Sequence, residues 1–213
     1  MVINKPQICA VITTDDLPAV KAVESQADLY EVRIDLIGEG WRRLVKHLGK
    51  PWIACNRRAD EGGHWPGTET QRLEELRKAT SLGAAMVDIE LATPNLKKVI
   101  AAFKKMGVKC LVSHHDFQRT PAGARLKAIV QRQIAAGADI CKVVTTAQKF
   151  ADNLTVLQLI SDFPGKKVVA LPWAARALTA VFSVRWRAVN LPMLPWPKVR
   201  NLPQVSSPCR NWQ

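Results

Sequence analysis

Lys142 interrupts a run that should be apolar throughout. Residues 138–147 are Ala-Asp-Ile-Cys-Lys-Val-Val-Thr-Thr-Ala, a β-prone stretch of the kind that fills a buried parallel strand. A primary amine walled by Ile140 and Val144 is expected to lose its proton readily, because desolvation disfavours the charged form. A neutral amine is a nucleophile that forms an imine with a ketone. A lysine at a strand end, reaching solvent, is the plainer alternative and the preferred one for an isolated lysine. Lys142 has company. His115 can exchange protons near neutral pH, so it suits the removal of an acidified C–H and the protonation of a leaving hydroxyl. Only one of His114 and His115 can face inward on an alternating strand. Glu61, four residues after Arg57, could orient the histidine or bind a hydroxyl. Arg33 and Arg57 could hold an anionic or polyhydroxylated substrate.

These groups need a scaffold, and hydrophobic periodicity supplies one. Strand-like runs fall at 8–14, 29–36, 51–57, 85–91, 109–114, 140–146 and 167–172. Helical patterns lie between them at about 17–27, 41–48, 69–82, 95–106, 123–136 and 149–162. Thr93-Pro94-Asn95 and Thr120-Pro121 mark helix starts, and Gly107 and Gly137 mark helix stops. Strand-helix alternation with short loops is the pattern of a parallel α/β protein, either a closed barrel or a doubly wound sheet. No glycine-rich phosphate loop follows the first strand, which disfavours a nucleotide-binding open sheet. Charges favour the barrel. Glu31, Arg33 and Asp35 alternate on the second expected strand, and Asp88 and Glu90 on the fourth. Arg57 ends the third, His115 ends the fifth and Lys142 lies on the sixth. Each pair alone could be a structural salt bridge. Polar groups near the C-terminal ends of five adjacent strands would converge on one barrel mouth, where such folds keep their sites.

Bulk composition narrows the classes. The 213 residues suffice for one sizeable domain. No run has the apolar length of a membrane span, and the N-terminus lacks a signal pattern, so a cytoplasmic protein is expected. The five cysteines, Cys9, Cys55, Cys110, Cys141 and Cys209, show no metal-ligand spacing. Buried free thiols are expected rather than disulfides or zinc. The net charge of +13 is unevenly spread: residues 173–213 hold six of the 31 basic residues and none of the 18 acidic ones. Upstream, basic side chains such as Arg42, Arg43, Lys104 and Lys105 lie on helical segments, as a solvated face rather than a nucleic-acid groove.

Together the motifs resemble the type I 3-dehydroquinate dehydratases, imine-forming enzymes of the shikimate pathway. The matching segments are Glu31-Val-Arg33-Ile-Asp35, Arg57-Arg-Ala-Asp-Glu61-Gly62-Gly63 and Val87-Asp88-Ile-Glu90. Ser113-His-His115-Asp116-Phe117 with Thr120-Pro121, and Gly137-Ala-Asp139-Ile-Cys-Lys142, complete the series. His115 and Lys142 are 27 residues apart, as in that family. The resemblance covers residues 8–172. It implies a (β/α)8 TIM barrel, a homodimer where the barrel is complete, and neither metal nor cofactor. The implied partner is the small-molecule substrate 3-dehydroquinate, with no nucleic acid and no membrane. Its dehydration to 3-dehydroshikimate would run through an imine on Lys142. His115 would remove the C2 proton and assist departure of the C1 hydroxyl. Glu31, Arg33 and Arg57 match the family's substrate contacts, and Glu61 its histidine-supporting carboxylate. The family's proline before the lysine is Cys141 here, and its early substrate-binding serine has no match.

The resemblance fails after Pro172. Residues 173–213 hold four of the seven Trp, five of the thirteen Pro and no Gly. The family's Met-Gly stretch, carboxylate-binding arginine, eighth strand and Ser-Ala-Pro-Gly-Gln closing loop are not recognisable. A one-base shift accounts for this. Pro172-Trp173-Ala174 can be written CCA TGG GC, and one restored A gives Pro-Met-Gly. Asn201–Ser206, read in the same frame, can contain Ser-Ala-Pro-Gly-Gln. The chain is therefore expected to be a barrel domain over 1–172, with seven recognisable strands, and an out-of-frame tail over 173–213. Lacking the carboxylate clamp, such a product would be weak or inactive. Two other readings remain open: another imine-forming barrel enzyme such as a class I aldolase, and a non-catalytic protein whose basic tail binds a surface.

Overall fold

A computed structural model of the chain describes residues 7–174. Seven strands form one parallel sheet in sequence order: β1 (Cys9–Ile12), β2 (Leu29–Arg33), β3 (Trp52–Cys55), β4 (Met86–Glu90), β5 (Lys109–Asp116), β6 (Ile140–Ala147) and β7 (Val168–Ala174). Helices α1 (Leu17–Ala22), α2 (Ile34–Ile37), α3 (Trp41–Leu44), α4 (Glu69–Ser81), α5 (Leu96–Lys105), α6 (Gly123–Ala136) and α7 (Phe150–Asp162) alternate with them. The sheet curls into a partial barrel with helices on its outer face. The expected seven strands are all present. The eighth strand, unrecognisable in the sequence, lies outside the described residues, as does most of the tail; β7 itself runs through Trp173 to Ala174. None of the described helices is long and apolar enough to cross a membrane.

Local signals set the element ends. α4 starts on a reciprocal cap, in which the Thr68 side chain accepts from the Gln71 backbone N–H and the Gln71 side chain accepts from the Thr68 N–H. α6 stops at Gly137, whose φ of 99° is open to glycine at little strain. The third strand ends at Cys55 rather than 57, so Arg57 lies two residues beyond it, and the second strand also departs from expectation. It ends at Arg33 rather than 36, and Asp35 lies on the helical turn α2. Asp35 is used to hold that turn to its neighbours: it pairs with Arg33 and accepts the backbone N–H groups of Arg57 and His64.

Alternation divides the sheet into two faces. Tyr30, Val32, Ala54, Val87, Ile89, Val112, Val143 and Ala170 pack outward with Leu76, Ile100, Phe103, Leu126 and Leu159 of the helices. The opposite residues, Ile53, Leu111, Ile140 and Val169, form a smaller apolar cluster joined by Cys9, Leu29 and Met86. That cluster is a floor. Two residues further along the same chain segments stand Glu31, Cys55, Asp88, Ser113 and Lys142; two further again stand Arg33, Arg57, Glu90 and His115. An apolar floor beneath two polar tiers places the chemistry at the C-terminal ends of the strands.

Candidate active site

Lys142 stands on β6 with its side chain only 10 % exposed. Its Nζ donates to Glu31 Oε2 at 2.8 Å and to Asp88 Oδ2 at 3.2 Å. Burial pushes the lysine pKa down, but the Glu31 and Asp88 carboxylates outweigh it and hold the ammonium above its ordinary range. The expectation of a readily deprotonated amine is thereby corrected. Its walls are apolar along the strand, yet its tip is seated between two anions from β2 and β4.

Asp88 is the hub of the lower tier. Its Oδ2 accepts from Arg57 Nη2 at 2.8 Å, and its Oδ1 accepts from Ser113 Oγ at 2.5 Å and Arg57 Nη1 at 3.3 Å. Burial pushes its carboxyl up, but Arg57 and Lys142 override this and hold it well below the usual carboxylate range. Arg57 donates further to Glu90 at 3.0 Å, to Ser113 Oγ at 2.6 Å and to Cys55 Sγ at 3.2 Å. Both terminal nitrogens of Arg57 are therefore taken by protein acceptors. From outside the strands, Arg72 of α4 reaches Glu90 at 2.8 Å and donates to the Asn56 carbonyl and Thr93. Three buried cations, Lys142, Arg57 and Arg72, face three buried carboxylates, Glu31, Asp88 and Glu90. An uncompensated charge at this depth would cost several kcal/mol, about 3–5 when one partner is deleted.

The upper tier holds a different kind of pair. Glu61 Oε2 lies 2.8 Å from His115 Nδ1 and accepts the His115 backbone N–H at 3.0 Å. Glu61 ends a short 3-10 turn, Ala59–Glu61, and the chain returns through Gly62 at φ 77°. Gly63 packs so tightly on the Arg57 and Arg58 carbonyls that a Cβ there would overlap them. The Gly-Gly pair is thus what lets Glu61 fold back onto β5. Burial, then the nearby Glu90, pushes the Glu61 carboxyl up to about 8. Burial, then Arg57 and Lys142, pushes the His115 imidazole down to about 2. At neutral pH both shifts favour an uncharged pair, a carboxylic acid beside a neutral imidazole. Burial and the neighbouring cations thus hold His115 below the near-neutral range expected of it from the sequence. With Nδ1 taken by Glu61, Nε2 is the nitrogen left to meet a substrate. Phe117 stacks on the imidazole at 5.8 Å between centroids and 16° between planes, and Trp173 meets Phe117 edge-on at 6.3 Å.

The remaining expected residue, Arg33, ends β2 and forms a forked pair with Asp35 at 2.9 and 2.7 Å, leaving its side chain 17 % exposed. The structure thus brings Lys142 and Glu31 together, and separately His115 and Glu61, with Arg57 beneath both and Arg33 at the margin. Asp88, placed from the sequence among the converging polar groups, and Ser113 were given no role in the site. Their alternation with Glu90 and His115 was the signal that could have named them. Arg72 gave none, because Glu69 three residues earlier makes it look like an ordinary exposed helix pair. Glu31, Cys55 and Asp88 place their ligand atoms within 4.8 Å of one another, a spacing fit for a cation. The Lys142 ammonium is the cation that two of the three hold.

A family model described as type I 3-dehydroquinase matches residues 8–177. A 3-dehydroquinate dehydratase of Dehalococcoides mccartyi is 44 % identical over 167 residues, covering 78 % of this chain and 74 % of the relative. One from Methanosarcina barkeri is 39 % identical over 172 residues, covering 75 % and 71 %. The solved 3-dehydroquinate dehydratase of Enterococcus faecalis superposes with a TM-score of 0.71 at 26 % identity, covering 81 % of each chain.

Proposed function

The chain belongs to the type I 3-dehydroquinase family, and from that premise we propose how its own residues carry the reaction. The reaction is the dehydration of 3-dehydroquinate to 3-dehydroshikimate. Lys142 forms an imine with the substrate ketone, which acidifies the adjacent C–H because the iminium accepts the electron pair. His115 Nε2 takes that proton, and the same group returns it to the leaving hydroxyl, so one water is lost and no redox step occurs. Glu61 sets the imidazole's orientation and tautomer. Glu31 and Arg33 face the polar substrate at the mouth. Arg57 acts through Asp88, which it holds ionised, with its Nε left for a substrate oxygen.

The observation that carries this reading is Lys142 seated between Glu31 and Asp88, with the His115–Glu61 pair two residues further toward the strand ends. The test is borohydride reduction in the presence of 3-dehydroquinate, read by intact mass. The wild-type chain should gain a reduced adduct and Lys142→Ala none. An adduct that persists in the Lys142→Ala variant, or retro-aldol cleavage in place of dehydration, would overturn it.

The free thiols Cys9, Cys55, Cys110 and Cys141 support a reducing compartment, and we assign the chain to the cytoplasm. The family match ends at residue 177, five residues past Pro172, and the loss of Gly, Asp and Glu over 173–213 supports an out-of-frame tail there. Such a tail would leave the carboxylate clamp incomplete and turnover low, and resequencing the coding DNA across the Pro172 codon decides it. A homodimer is the assembly expected of a completed barrel.

A further inference from the structure

We infer that Glu31 is the acid–base partner of Lys142 in imine formation: it takes protons from the lysine nitrogen and delivers them to the departing ketone oxygen, while Asp88 stays ionised throughout. This rests on the imine reading above and adds a role for Glu31 beyond contact with the substrate. The need for such a group follows from the geometry. An ammonium seated between two carboxylates has no lone pair and cannot attack a ketone until a proton leaves it. Two oxygens touch Nζ and could receive that proton.

Asp88 is unsuited to receive it. Its two oxygens already accept from both terminal nitrogens of Arg57, from Ser113 Oγ and from Lys142. Protonation would set a neutral acid against a buried guanidinium and strand part of that network. Glu31 is suited. It lies nearer, at 2.8 Å against 3.2 Å, and among the described residues its one hydrogen bond is the one from Lys142. Its neutralisation disturbs no second cation. His115 does not touch Nζ: it aligns with Val144, one inward-facing row beyond Lys142, where its Nε2 is assigned to the substrate C–H.

The proton count closes. Glu31 takes one proton from the ammonium, and the freed lone pair forms the C–N bond as the C=O π pair moves to oxygen. Glu31 gives its proton to that oxygen, then takes a second from nitrogen. It delivers this second proton as the C–O bond breaks, and the oxygen leaves as water. The iminium keeps one N–H and one positive charge. Glu31 ends ionised, as it began, so the charge that Asp88 faces is the same before and after. Nitrogen chemistry thus belongs to Glu31 and carbon chemistry to His115 and Glu61.

The test uses the full chain with saturating 3-dehydroquinate, quenched by borohydride over a time course from pH 6 to pH 9. Wild type should give an adduct at a rate only weakly dependent on pH. Glu31→Gln should form it about 100-fold more slowly at pH 7, with the rate climbing about tenfold per pH unit as hydroxide substitutes for the lost base. Glu31→Asp should recover part of the rate with the wild-type profile, and it serves alone where Glu31→Gln does not fold. A Glu31→Gln rate equal to wild type, or one lowered equally at every pH, overturns the proposal while the imine reading stands. No adduct on the wild-type chain at any pH overturns both.

Discussion

Lys142 and His115 are buried almost alike, with side chains 10 % and 7 % exposed, and they belong to adjacent strands. Desolvation presses on both in the same direction, against the charged form. They nevertheless come to opposite states. Lys142 touches two carboxylates, one of which is itself pinned ionised by Arg57, so its ammonium survives burial. His115 has a carboxyl too, but Glu61 is pushed upward by its own burial and by Glu90, and the fixed charges that act on the imidazole include Arg57 and Lys142. Depth in the barrel therefore does not determine protonation here. What determines it is whether the neighbouring acid has a cation of its own. The lower tier is a charge lattice, and the upper tier is a neutral pair able to gain or lose a proton.

Arg57 pairs with both Asp88 and Glu90 and also bears on the His115 imidazole, so its removal should have the largest effect. Arg57→Ala leaves Asp88 and Glu90 without their shared guanidinium. Loss of one partner from a buried ion pair costs about 3–5 kcal/mol. Urea unfolding of the variant should show that loss, and stability near wild type would mean that the lower tier is not a charge lattice. A smaller effect comes from the upper tier and depends on pH. Glu61 binds its proton more tightly in the folded chain, at about 8 against an ordinary 4.5, so its contribution is complete below 4.5 and is lost as pH rises toward 8. His115 is depressed to about 2 from 6.5, so its contribution is present above 6.5 and is lost as pH falls toward 2. The two slopes oppose each other between 4.5 and 6.5, leaving a net loss of stability from pH 6.5 to 8. Glu61→Gln should flatten the unfolding midpoint over that upper window. A wild-type midpoint that rises from pH 6.5 to 8 would show that Glu61 is already ionised and that the two tiers are less different than the geometry makes them.

The same contrast marks what the residues could and could not announce. Period-two alternation was enough to place the seven strands and to put Lys142, His115, Glu31 and Arg57 on the inward face. The Thr68–Gln71 cap and Gly137 were equally plain, because each acts within a few residues. Lys142's protonation state was not legible. Glu31 lies 111 residues away and Asp88 54, and nothing in the apolar run around the lysine signals either. Arg57 could be placed just past the third strand run, where it lies two residues beyond β3, but not seen to be consumed by Asp88, Glu90 and Ser113. Asp35 fits the strand pattern on alternation alone, yet the chain turns helical after Arg33 because Arg33, Arg57 and His64 all converge on its carboxylate. Local pattern encodes faces and ends, whereas the partners of a buried charge are settled by tertiary approach.

The finest separation of the two tiers is available at Gly62, which touches only the upper one. A Cβ there would stand 2.6 Å from Phe117 Cε2, and Phe117 is the ring stacked on His115. Gly62 also holds φ 77°, a left-handed conformation that costs an L-residue about 1–2 kcal/mol. Gly62→Ala should therefore lower stability by about that amount, and push Phe117 off the imidazole while sparing Lys142, Glu31 and Asp88. Borohydride-trapped adduct should form at the wild-type rate, and turnover to the dehydrated product should fall several-fold. Equal loss of both would mean that the turn carrying Glu61 also positions the lysine, and that the neutral pair and the charge lattice move as one unit.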